Sequence, residues 1–267
     1  MPTYAKLDQF GFLSVTGRDA CKFMQGYTTC DLDKLTDQDF QMGAICNLQG
    51  RMVTSFLVCK TEDGLLLRMD RALVDTTITF LSKYIVFSKA SLEDVSDTFH
   101  CYGLMNTEAE TGNVSISDQG YQLQITETRA EGWLKQTPAS GEEVEPDTWQ
   151  LAEVSDARAW VNQATTEQFL PQMFNYDQTG AIDFEKGCYL GQEIVARMQY
   201  RGELKRRLHI LRSETEVAAG DPVATSTGSN LGTIVTTVAT SNGALSLAVL
   251  NEKADLSELT ESPFSLV

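Results

Sequence analysis

The hydrophobic and polar positions near the start of the chain predict a strand followed by a short helix. The apolar stretch from Leu13 to Val15 predicts the strand. Thr16 to Asp19 follows it as a capping box, a pattern that starts a helix. Beyond this box the apolar residues recur at intervals of three and four, as on one face of a helix. These residues are Ala20, Phe23, Met24 and Tyr27. The chain therefore opens as a β–α unit.

A hairpin and a second helix are predicted next. Two apolar stretches, Met52 to Cys59 and Leu65 to Met69, flank the polar tetrapeptide Thr61 to Gly64. This arrangement predicts a hairpin with a four-residue connection. Asp70 then stands where it can cap a helix, and Ile85 to Phe87 predicts another strand. The helix has apolar positions at three- and four-residue spacing: Leu73, Thr77, Phe80, Leu81 and Tyr84.

The second half of the chain changes from loops to strands. Residues 106–120 carry no apolar period, and residues 138–146 hold two prolines around an acidic stretch, so both predict surface loops. From Arg207 onward every apolar segment has the length of a strand. These strands are Arg207 to Leu211, Leu231 to Ala239 and, after the turn Ser241 to Gly243, Ala244 to Leu250. The pattern predicts an α+β body followed by a small barrel or sandwich.

Composition narrows the class of protein. The start, MPTYAKLDQF, lacks a basic region followed by an apolar stretch, and no run reaches the roughly 18 apolar residues that span a bilayer. We therefore expect a soluble, cytoplasmic protein with reduced thiols and no membrane partner. The 6 cysteines contain no C-x-x-C pair and there are only 2 histidines, which argues against a zinc ribbon, a resident cluster or a Ser-His-Asp triad. No permanent metal site is predicted.

The charge is unevenly distributed. The chain has a formal charge of -16, yet the segment from Lys186 to Arg212 holds seven basic and two acidic residues, a local charge of +5. The remaining 14 basic and 35 acidic residues give -21. A basic stripe on an acidic body suits a small anionic ligand, or one confined nucleic-acid contact, better than a long polyanion. Solvated basic side chains on a helix and a strand are the alternative interpretation.

The segment with the most chemistry is KGCYLGQE, from Lys186 to Glu193. Two glycines four residues apart allow a tight turn, and Cys188 lies between them, beside Lys186 and just before a predicted helix. A neighbouring cation and a helix N-terminus both lower a thiol pKa, so Cys188 is the candidate reactive cysteine. A small cysteine packed in a glycine turn is the alternative. No phosphate-binding glycine motif occurs in the chain.

These residues resemble a known family. KGCYLGQE, FLPQ at Phe169 to Gln172 and VARMQYRGELKR at Val195 to Arg206 closely resemble the YgfZ-type folate-binding proteins, which are relatives of the glycine-cleavage T protein, an aminomethyltransferase. The stretches Leu13 to Asp31 and Asn47 to Met52 are similar to the opening elements of that family and occur in the same order. The resemblance spans nearly the whole chain, including the strand at Leu231 to Val235.

The resemblance implies a fold and a function. It implies two intertwined α/β subdomains around a central channel that binds tetrahydrofolate, over residues 1–203, and a C-terminal β-barrel over residues 204–267. Members of the family support the assembly or repair of iron–sulfur enzymes and thereby tRNA modification, and Cys188 matches their functional cysteine. The implied partners are a folate and iron–sulfur enzymes or assembly proteins. A cluster would be held only transiently, since one cysteine is too few to hold it alone.

The resemblance also assigns candidate folate contacts. By spacing, its aromatic contacts fall on Phe10, where the family has Trp, and on Trp149. Either ring could stack on a pterin, although a core role for Phe10 is the alternative. Basic residues near the motif would meet the glutamate tail, and other motif residues could hydrogen-bond a heterocycle. These further candidates are Lys186, Tyr189, Gln192, Glu193 and Arg197.

Two departures from the family pattern weaken an aminomethyltransferase assignment. Thr54 and Ser55 stand where the transferases carry an acidic pair, and a hydroxyl cannot act as a carboxylate near neutral pH. The expected Glu-Ala-Gly reads Ser155, Asp156 and Ala157, which displaces the carboxylate that contacts the pterin by one position.

Three functions follow, in order of preference. The first is a tetrahydrofolate-binding accessory protein in iron–sulfur maintenance and tRNA modification. The second is a folate-dependent aminomethyl or one-carbon transferase, in which Cys188 or Asp156 transfers a proton. The third is direct docking of tRNA through Arg197 to Arg212, which the -21 charge of the remaining chain disfavours.

Overall fold

Strands dominate the structure. The computed structural model describes residues 1–215, 217–225, 228–253 and 263–267, in which sixteen strands form three sheets. The mixed α and β class predicted from the sequence is confirmed. The helices are α1 (Ala20–Gln25), α2 (Val74–Ser82), α3 (Pro146–Ser155) and α4 (Gln192–Arg201). The strands before α3 are β1 (Thr3–Lys6), β2 (Phe10–Thr16), β3 (Phe40–Cys46), β4 (Met52–Thr61), β5 (Gly64–Asp70), β6 (Ser91–Asp94), β7 (His100–Met105), β8 (Val114–Ser117), β9 (Gly120–Thr126), β10 (Arg129–Leu134) and β11 (Glu142–Glu143).

The chain crosses between the first two sheets. It begins with β1 in a six-stranded sheet of order β11-β1-β7-β10-β9-β8 and then forms the whole of a five-stranded sheet of order β3-β4-β5-β2-β6. From β7 onward it returns to the first sheet. The first strand is therefore held by partners that follow it by about 100 and about 140 residues, since Thr3 pairs with Met105 and Glu142.

The five-stranded sheet is buried on both faces. Along β2, Phe12 packs in the core that contains Trp133, whereas its neighbour Leu13 packs in the core beneath α1 and α2. Along β4, Leu57 and Phe56 divide in the same way. Because successive strand residues point to opposite faces, a sheet buried on both sides needs an uninterrupted apolar run. This explains the long apolar stretches that predict β4 and β5.

The predicted hairpin forms with a shorter connection. β4 and β5 pair up to Thr61 and Gly64, so Glu62 and Asp63 alone form the turn. Gly64 has φ 158°, and a Cβ there would lie 2.1 Å from the carbonyl oxygen of Val15 on the adjacent strand. The glycine therefore belongs to the strand, and the prediction of a four-residue connection was wrong.

One helix cap is confirmed and one is not. Asp70 Oδ1 accepts a hydrogen bond from Ala72 N at 2.9 Å and starts a 3₁₀ turn, Arg71–Leu73, that leads into α2. Asp19 precedes α1 but caps no helical N–H; its Oδ2 accepts instead from Lys89 N at 2.9 Å. The prediction of a capping box was therefore wrong, because the Asp19 side chain bonds the distant Lys89 backbone and not the helix.

Three irregular segments also differ from the predictions. Ile85–Phe87 is a 3₁₀ helix and not a strand, since Ser88 N donates to Ile85 O at 2.8 Å and closes a turn. The predicted loop 106–120 contains β8, an edge strand with only Val114 half-buried and hence no apolar period. The predicted loop 138–146 contains β11, which pairs parallel to β1.

The C-terminal strands form a third sheet. They are β12 (Arg206–Ser213), β13 (Pro222–Ala224), β14 (Asn230–Thr240), β15 (Gly243–Asn251) and β16 (Phe264–Leu266), in the order β13-β14-β15-β12-β16. All three strands predicted in this region are confirmed. Closure into a barrel and the boundary at residue 204 stay predictions, and residues 216, 226–227 and 254–262 of the predicted barrel lie outside the described residues. No helix in the described part of the chain has the length and apolar character needed to cross a bilayer.

Candidate functional site

A cavity of about 260 Å³ lies between the five-stranded N-terminal sheet, α3 and the C-terminal sheet. Its wall takes residues from the start of β2, the end of β5, α3, the segment after α3, and β14. Two predicted site residues, Phe10 and Trp149, are brought together here. The full lining is Gln9, Phe10, Asp70, Trp149, Gln150, Glu153, Val154, Arg158, Trp160, Asn162 and Thr236.

Trp149 is packed tightly into the cavity wall. It is only 1% exposed, and a Cβ at Gly103 would lie 2.4 Å from its ring, so β7 must carry a glycine at this position. The Arg129 guanidinium lies 5.5 Å from the ring centroid. The indole Nε1 has no hydrogen-bond partner among the described residues. A buried donor without an acceptor is costly, and such a group is typical of a place where a ligand or water completes the bonding.

Phe10 contacts a buried guanidinium. The Cζ atom of Arg68 lies 4.0 Å from the Phe10 ring centroid and 3.9 Å from that of Trp160, and the two rings meet edge to face at 6.2 Å. Arg68 is fully buried and forms two hydrogen bonds to Glu131, of 2.9 Å and 2.5 Å. The predicted core role of Phe10 is therefore supported, while Phe10 also lines the cavity.

Glu153 supplies the buried carboxylate of the cavity. It lies on α3, one turn after Trp149, and its Oε2 accepts from Trp160 Nε1 at 2.8 Å. Its Oε1 accepts no hydrogen bond in the described structure, although Arg158 Nε lies 3.6 Å away. Burial raises the pKa of Glu153 above its ordinary value of 4.5. Two residues of the cavity lining thus each carry a buried polar atom without a hydrogen bond, Oε1 of Glu153 and Nε1 of Trp149.

The other acidic candidate does not line the cavity. Asp156 forms an ion pair with Arg129 and is about half exposed. Ser155 is exposed and its hydroxyl donates to Leu151 O at 2.7 Å. The shift in the sequence pattern therefore leaves Glu153, and not Asp156, as the carboxylate beside the aromatic rings.

Cys188 lies apart from this cavity. It is exposed, in the turn of residues 186–191 that precedes α4, and it is not among the cavity-lining residues. Gly191 caps α4 with φ 83°, and a Cβ there would lie 2.4 Å from the carbonyl oxygen of Asn47. By contrast, burial raises the pKa of Cys30 to about 11 and of Cys46 to about 12, so both remain protonated thiols near neutral pH. The structure therefore supports Cys188 as an accessible thiol.

Lys186 stabilises this turn. Its Nζ donates to the carbonyl oxygens of Cys30 at 2.6 Å, Thr28 at 2.7 Å and Gln25 at 2.9 Å. Burial lowers the pKa of this lysine. The ammonium is thus bound to the loop after α1, and the described structure shows no hydrogen bond from it to Cys188. The predicted contact between Lys186 and a folate tail is not supported, because its donors are already taken.

The remaining motif residues also have local partners or face solvent. Tyr189 is buried, and its ring centroid lies 5.3 Å from Nζ of Lys186. Gln192 Oε1 accepts from Tyr189 N at 3.0 Å, which closes the turn. Glu193 and Arg197 are exposed on α4. None of these four side chains lines the cavity. Their contact with a folate therefore stays a prediction.

Thr54 and Ser55 are core residues. Both are fully buried on β4, and Ser55 Oγ accepts from Val161 N at 2.8 Å. The Ser55 hydroxyl thereby holds the segment after α3 against the sheet. These positions therefore present no acid at the cavity.

Sequence reasoning missed several residues at or behind the cavity, among them Arg68, Glu153, Arg158 and Trp160. Arg68 sits within an apolar strand, where a charged residue is rarely buried without a partner. The charged residue within an apolar strand was the one sequence feature that could have predicted this part of the site, as a buried ion pair. Trp160 and Arg158 lie in a segment without regular structure, so no period marked them.

Among the described residues, no group of three or more His, Cys, Asp or Glu side chains is placed to hold a metal ion.

Comparisons with known proteins agree on one group of relatives. No protein-family model matches the chain. Over 285 residues the chain is 30% identical to the tRNA-modifying protein YgfZ of Photobacterium profundum, covering 96% of this chain and 84% of that protein. It is 29% identical over 279 residues to the protein of the same name from Aliivibrio fischeri, covering 95% and 86%.

A solved structure shares the fold. The glycine cleavage system aminomethyltransferase T from Bartonella henselae aligns with a TM-score of 0.66, covering 94% of this chain and 78% of that chain. The sequence identity is 11%, so this match bears on the fold alone.

Proposed function

Because the chain belongs to the YgfZ family of tRNA-modifying proteins, we propose that it binds a reduced folate in the cavity beside Trp149 and thereby supports tRNA modification. The cavity would be the ligand-binding part of the channel implied by the sequence, between the two interleaved subdomains. The similarity in fold to an aminomethyltransferase of the glycine cleavage system agrees with a folate ligand.

One observation carries the proposal: two residues that line the cavity each have a buried polar atom without a hydrogen bond, one an acceptor and one a donor. The acceptor is Glu153 Oε1 and the donor is Trp149 Nε1. The amide edge of a pterin carries N–H donors next to a carbonyl acceptor, and its flat ring suits a wall rich in aromatic side chains. The residues present therefore fit a pterin. Arg158 is the cation in the same wall for an anionic tail.

The accessory role concerns Cys188. Since the thiol is exposed and does not line the cavity, we place its action on a partner protein and not on the folate. A transient iron–sulfur cluster would need thiols from that partner, because a single cysteine cannot complete its coordination. The partner would be an iron–sulfur enzyme or assembly protein of the cytoplasm. All six cysteines are unpaired, as is typical of a reducing compartment.

Calorimetric titration with tetrahydrofolate tests the ligand. Trp149→Phe removes the indole donor and should weaken binding by about 2- to 10-fold, the range for one neutral hydrogen bond. Glu153→Gln should weaken it by about 10- to 100-fold, since a charged acceptor is lost. Tyr102→Phe is the control, because it removes a hydrogen-bonding hydroxyl from a buried aromatic residue that does not line the cavity. No binding by the natural protein, or equal weakening by the control, would contradict the proposal.

The function of Cys188 needs a separate readout. Cys188→Ser should bind tetrahydrofolate normally but fail to restore modified nucleosides in the tRNA of cells that lack this chain. Restoration by this variant would remove the thiol from the proposal while leaving the ligand in place.

A one-carbon transferase is the second candidate, and the raised pKa of Glu153 favours it. A carboxyl that titrates closer to neutrality can exchange a proton with a bound ligand. Thr54 and Ser55 offer no second acid, since both are buried hydroxyls. Steady turnover of tetrahydrofolate with an aminomethyl-loaded carrier protein, lost in Glu153→Gln, would establish this activity.

A further inference from the structure

The basic segment keeps two adjacent arginines without acidic partners. Lys186 is bound by backbone carbonyls, and Arg207 forms hydrogen bonds of 3.3 Å and 3.1 Å to the carboxylate of Asp177. Arg197 and Arg201, in contrast, have no ion pair or hydrogen bond in the described part of the chain. They are four residues apart on α4 and therefore lie on the same face of that helix.

An exposed aromatic ring lies between these arginines along the helix. Tyr200 is 69% exposed, and its ring packs edge to face against Phe184 at 6.1 Å. Ala196, four residues before it, leaves space beside the ring. A shallow surface depression is lined by Ala196, Arg197, Tyr200 and Arg201. We call these four residues the α4 face. Glu193 is the one acid on the preceding turn, and no ion pair joins it to Arg197.

We propose that the α4 face binds a short single-stranded segment of RNA. The two guanidiniums would bind neighbouring phosphates, and the Tyr200 ring would stack on an unpaired base. The charge distribution sets the size of this contact. With -21 on the rest of the chain, a long duplex would be repelled, whereas a loop or a strand end can touch one basic face alone.

Two other occupants fit less well. An acidic peptide could pair with Arg197 and Arg201, but it would leave the exposed Tyr200 ring without a stacking partner. A double-stranded RNA presents its backbone over many base pairs, and its bases are not free to stack on a side chain. The α4 face shares no residue with the cavity, so this inference does not depend on the proposed folate.

Fluorescence anisotropy with a labelled ten-nucleotide oligouridylate tests the site. The double variant Arg197→Gln with Arg201→Gln should bind at least about 10-fold more weakly in low salt, because two phosphate contacts are lost. The slope of log affinity against log salt should fall by about 1.4, at about 0.7 for each contact to a single strand. Tyr200→Ala should weaken binding by about 5-fold or more through lost stacking.

The control variant removes the same charge elsewhere. Lys83 and Lys89 are exposed in the segment after α2, and replacing both by Gln should change binding by less than about 2-fold. All substitutions are at exposed positions, so unchanged circular dichroism and Tm are expected for each variant.

Three outcomes would overturn the proposal. The first is no binding of the oligouridylate by the natural chain at low salt. The second is an equal loss in the lysine control, which would indicate nonspecific charge. The third is equally tight binding of a ten-residue polyglutamate with the same response to the arginine variants, which would make the α4 face a docking surface for an acidic protein.

Discussion

The cavity and the Cys188 turn differ in how completely their polar atoms are hydrogen-bonded. In the cavity, Trp149 Nε1 and Glu153 Oε1 are buried and lack hydrogen-bond partners among the residues described. In the turn, the ammonium of Lys186 is bound by three backbone carbonyls, while the thiol of Cys188 is exposed. A buried polar atom without a hydrogen bond lowers the free energy of unfolding by about 1–3 kcal/mol. A ligand that forms these hydrogen bonds would recover that stability. The turn, in contrast, has its ammonium fully hydrogen-bonded and exposes the Cys188 thiol to solvent.

The largest effect on stability is expected at the buried ion pair between Arg68 and Glu131, behind the cavity. Glu131→Gln leaves the fully buried Arg68 without its counter-charge, which should lower the free energy of unfolding by about 3–5 kcal/mol. Urea denaturation would measure this change. The carboxylate also accepts from Trp133 Nε1 at 3.0 Å, so part of the loss would come from that bond.

A second variant distinguishes the charge from simple packing. Arg68→Met combined with Glu131→Gln removes both charges and should be more stable than Glu131→Gln alone. Equal stability of the single and double variants would mean that the unpaired charge is not what costs stability. Tetrahydrofolate affinity should fall in the double variant, which lacks the Arg68 guanidinium that contacts the Phe10 and Trp160 rings.

The Cys188 turn gives the next largest effect. Lys186→Met leaves three backbone carbonyls without their charged donor, and we expect a loss of about 2–3 kcal/mol in urea denaturation. Cys188→Ser changes an exposed atom and should stay within about 0.5 kcal/mol of the natural protein. A small effect of Lys186→Met would show that the turn does not depend on this contact.

Glu153 offers the finest test, because ligand binding and stability should respond in opposite directions. Burial raises its pKa in the folded protein, so the folded state binds more protons than the unfolded state between pH 4.5 and the raised pKa. Ionisation of Glu153 therefore lowers stability as pH rises through that window. Glu153→Gln has no such charge and should gain stability relative to the natural protein at neutral pH.

Paired urea denaturations from pH 4 to pH 8 measure this difference. Below about pH 4.5 the carboxyl is protonated in both states, so the gain of Glu153→Gln should disappear there. The same variant binds tetrahydrofolate more weakly if the carboxylate is kept for a ligand. A variant that is less stable at neutral pH would indicate that the ion pair with Arg158 outweighs the cost of burial.

The sequence predicted the strands β2, β4, β5, β12, β14 and β15 and the helices α1, α2 and α4, because these elements follow a local apolar period. It did not predict β3, β9, β10 or α3. The apolar runs predict β4 and β5, and the spacing of Ala20, Phe23 and Met24 predicts α1. The errors fall where distant contacts decide the structure. Asp19 bonds a residue 70 positions away, and β8 pairs as a polar edge strand. No local pattern contains that information.

The site was predicted in part for the same reason. The Cys188 turn is one continuous segment, so its glycines and cysteine could be recognised together. The cavity is assembled from Phe10, Trp149, Trp160 and Thr236, which are far apart in the sequence and meet only in the folded chain. Family resemblance identified Phe10 and Trp149, whereas the buried Arg68 and the carboxylate of Glu153 became apparent only from the structure.

The early position of β1 has a consequence for biosynthesis. Its antiparallel neighbour β7 leaves the ribosome about 100 residues later, and β11 follows later still. Until then the N-terminal strand has unpaired backbone groups, which can join another chain. The β2–β6 sheet can form in the meantime, since its strands follow one another closely. We expect slow completion of the native state and a need for chaperone protection of the nascent N-terminus.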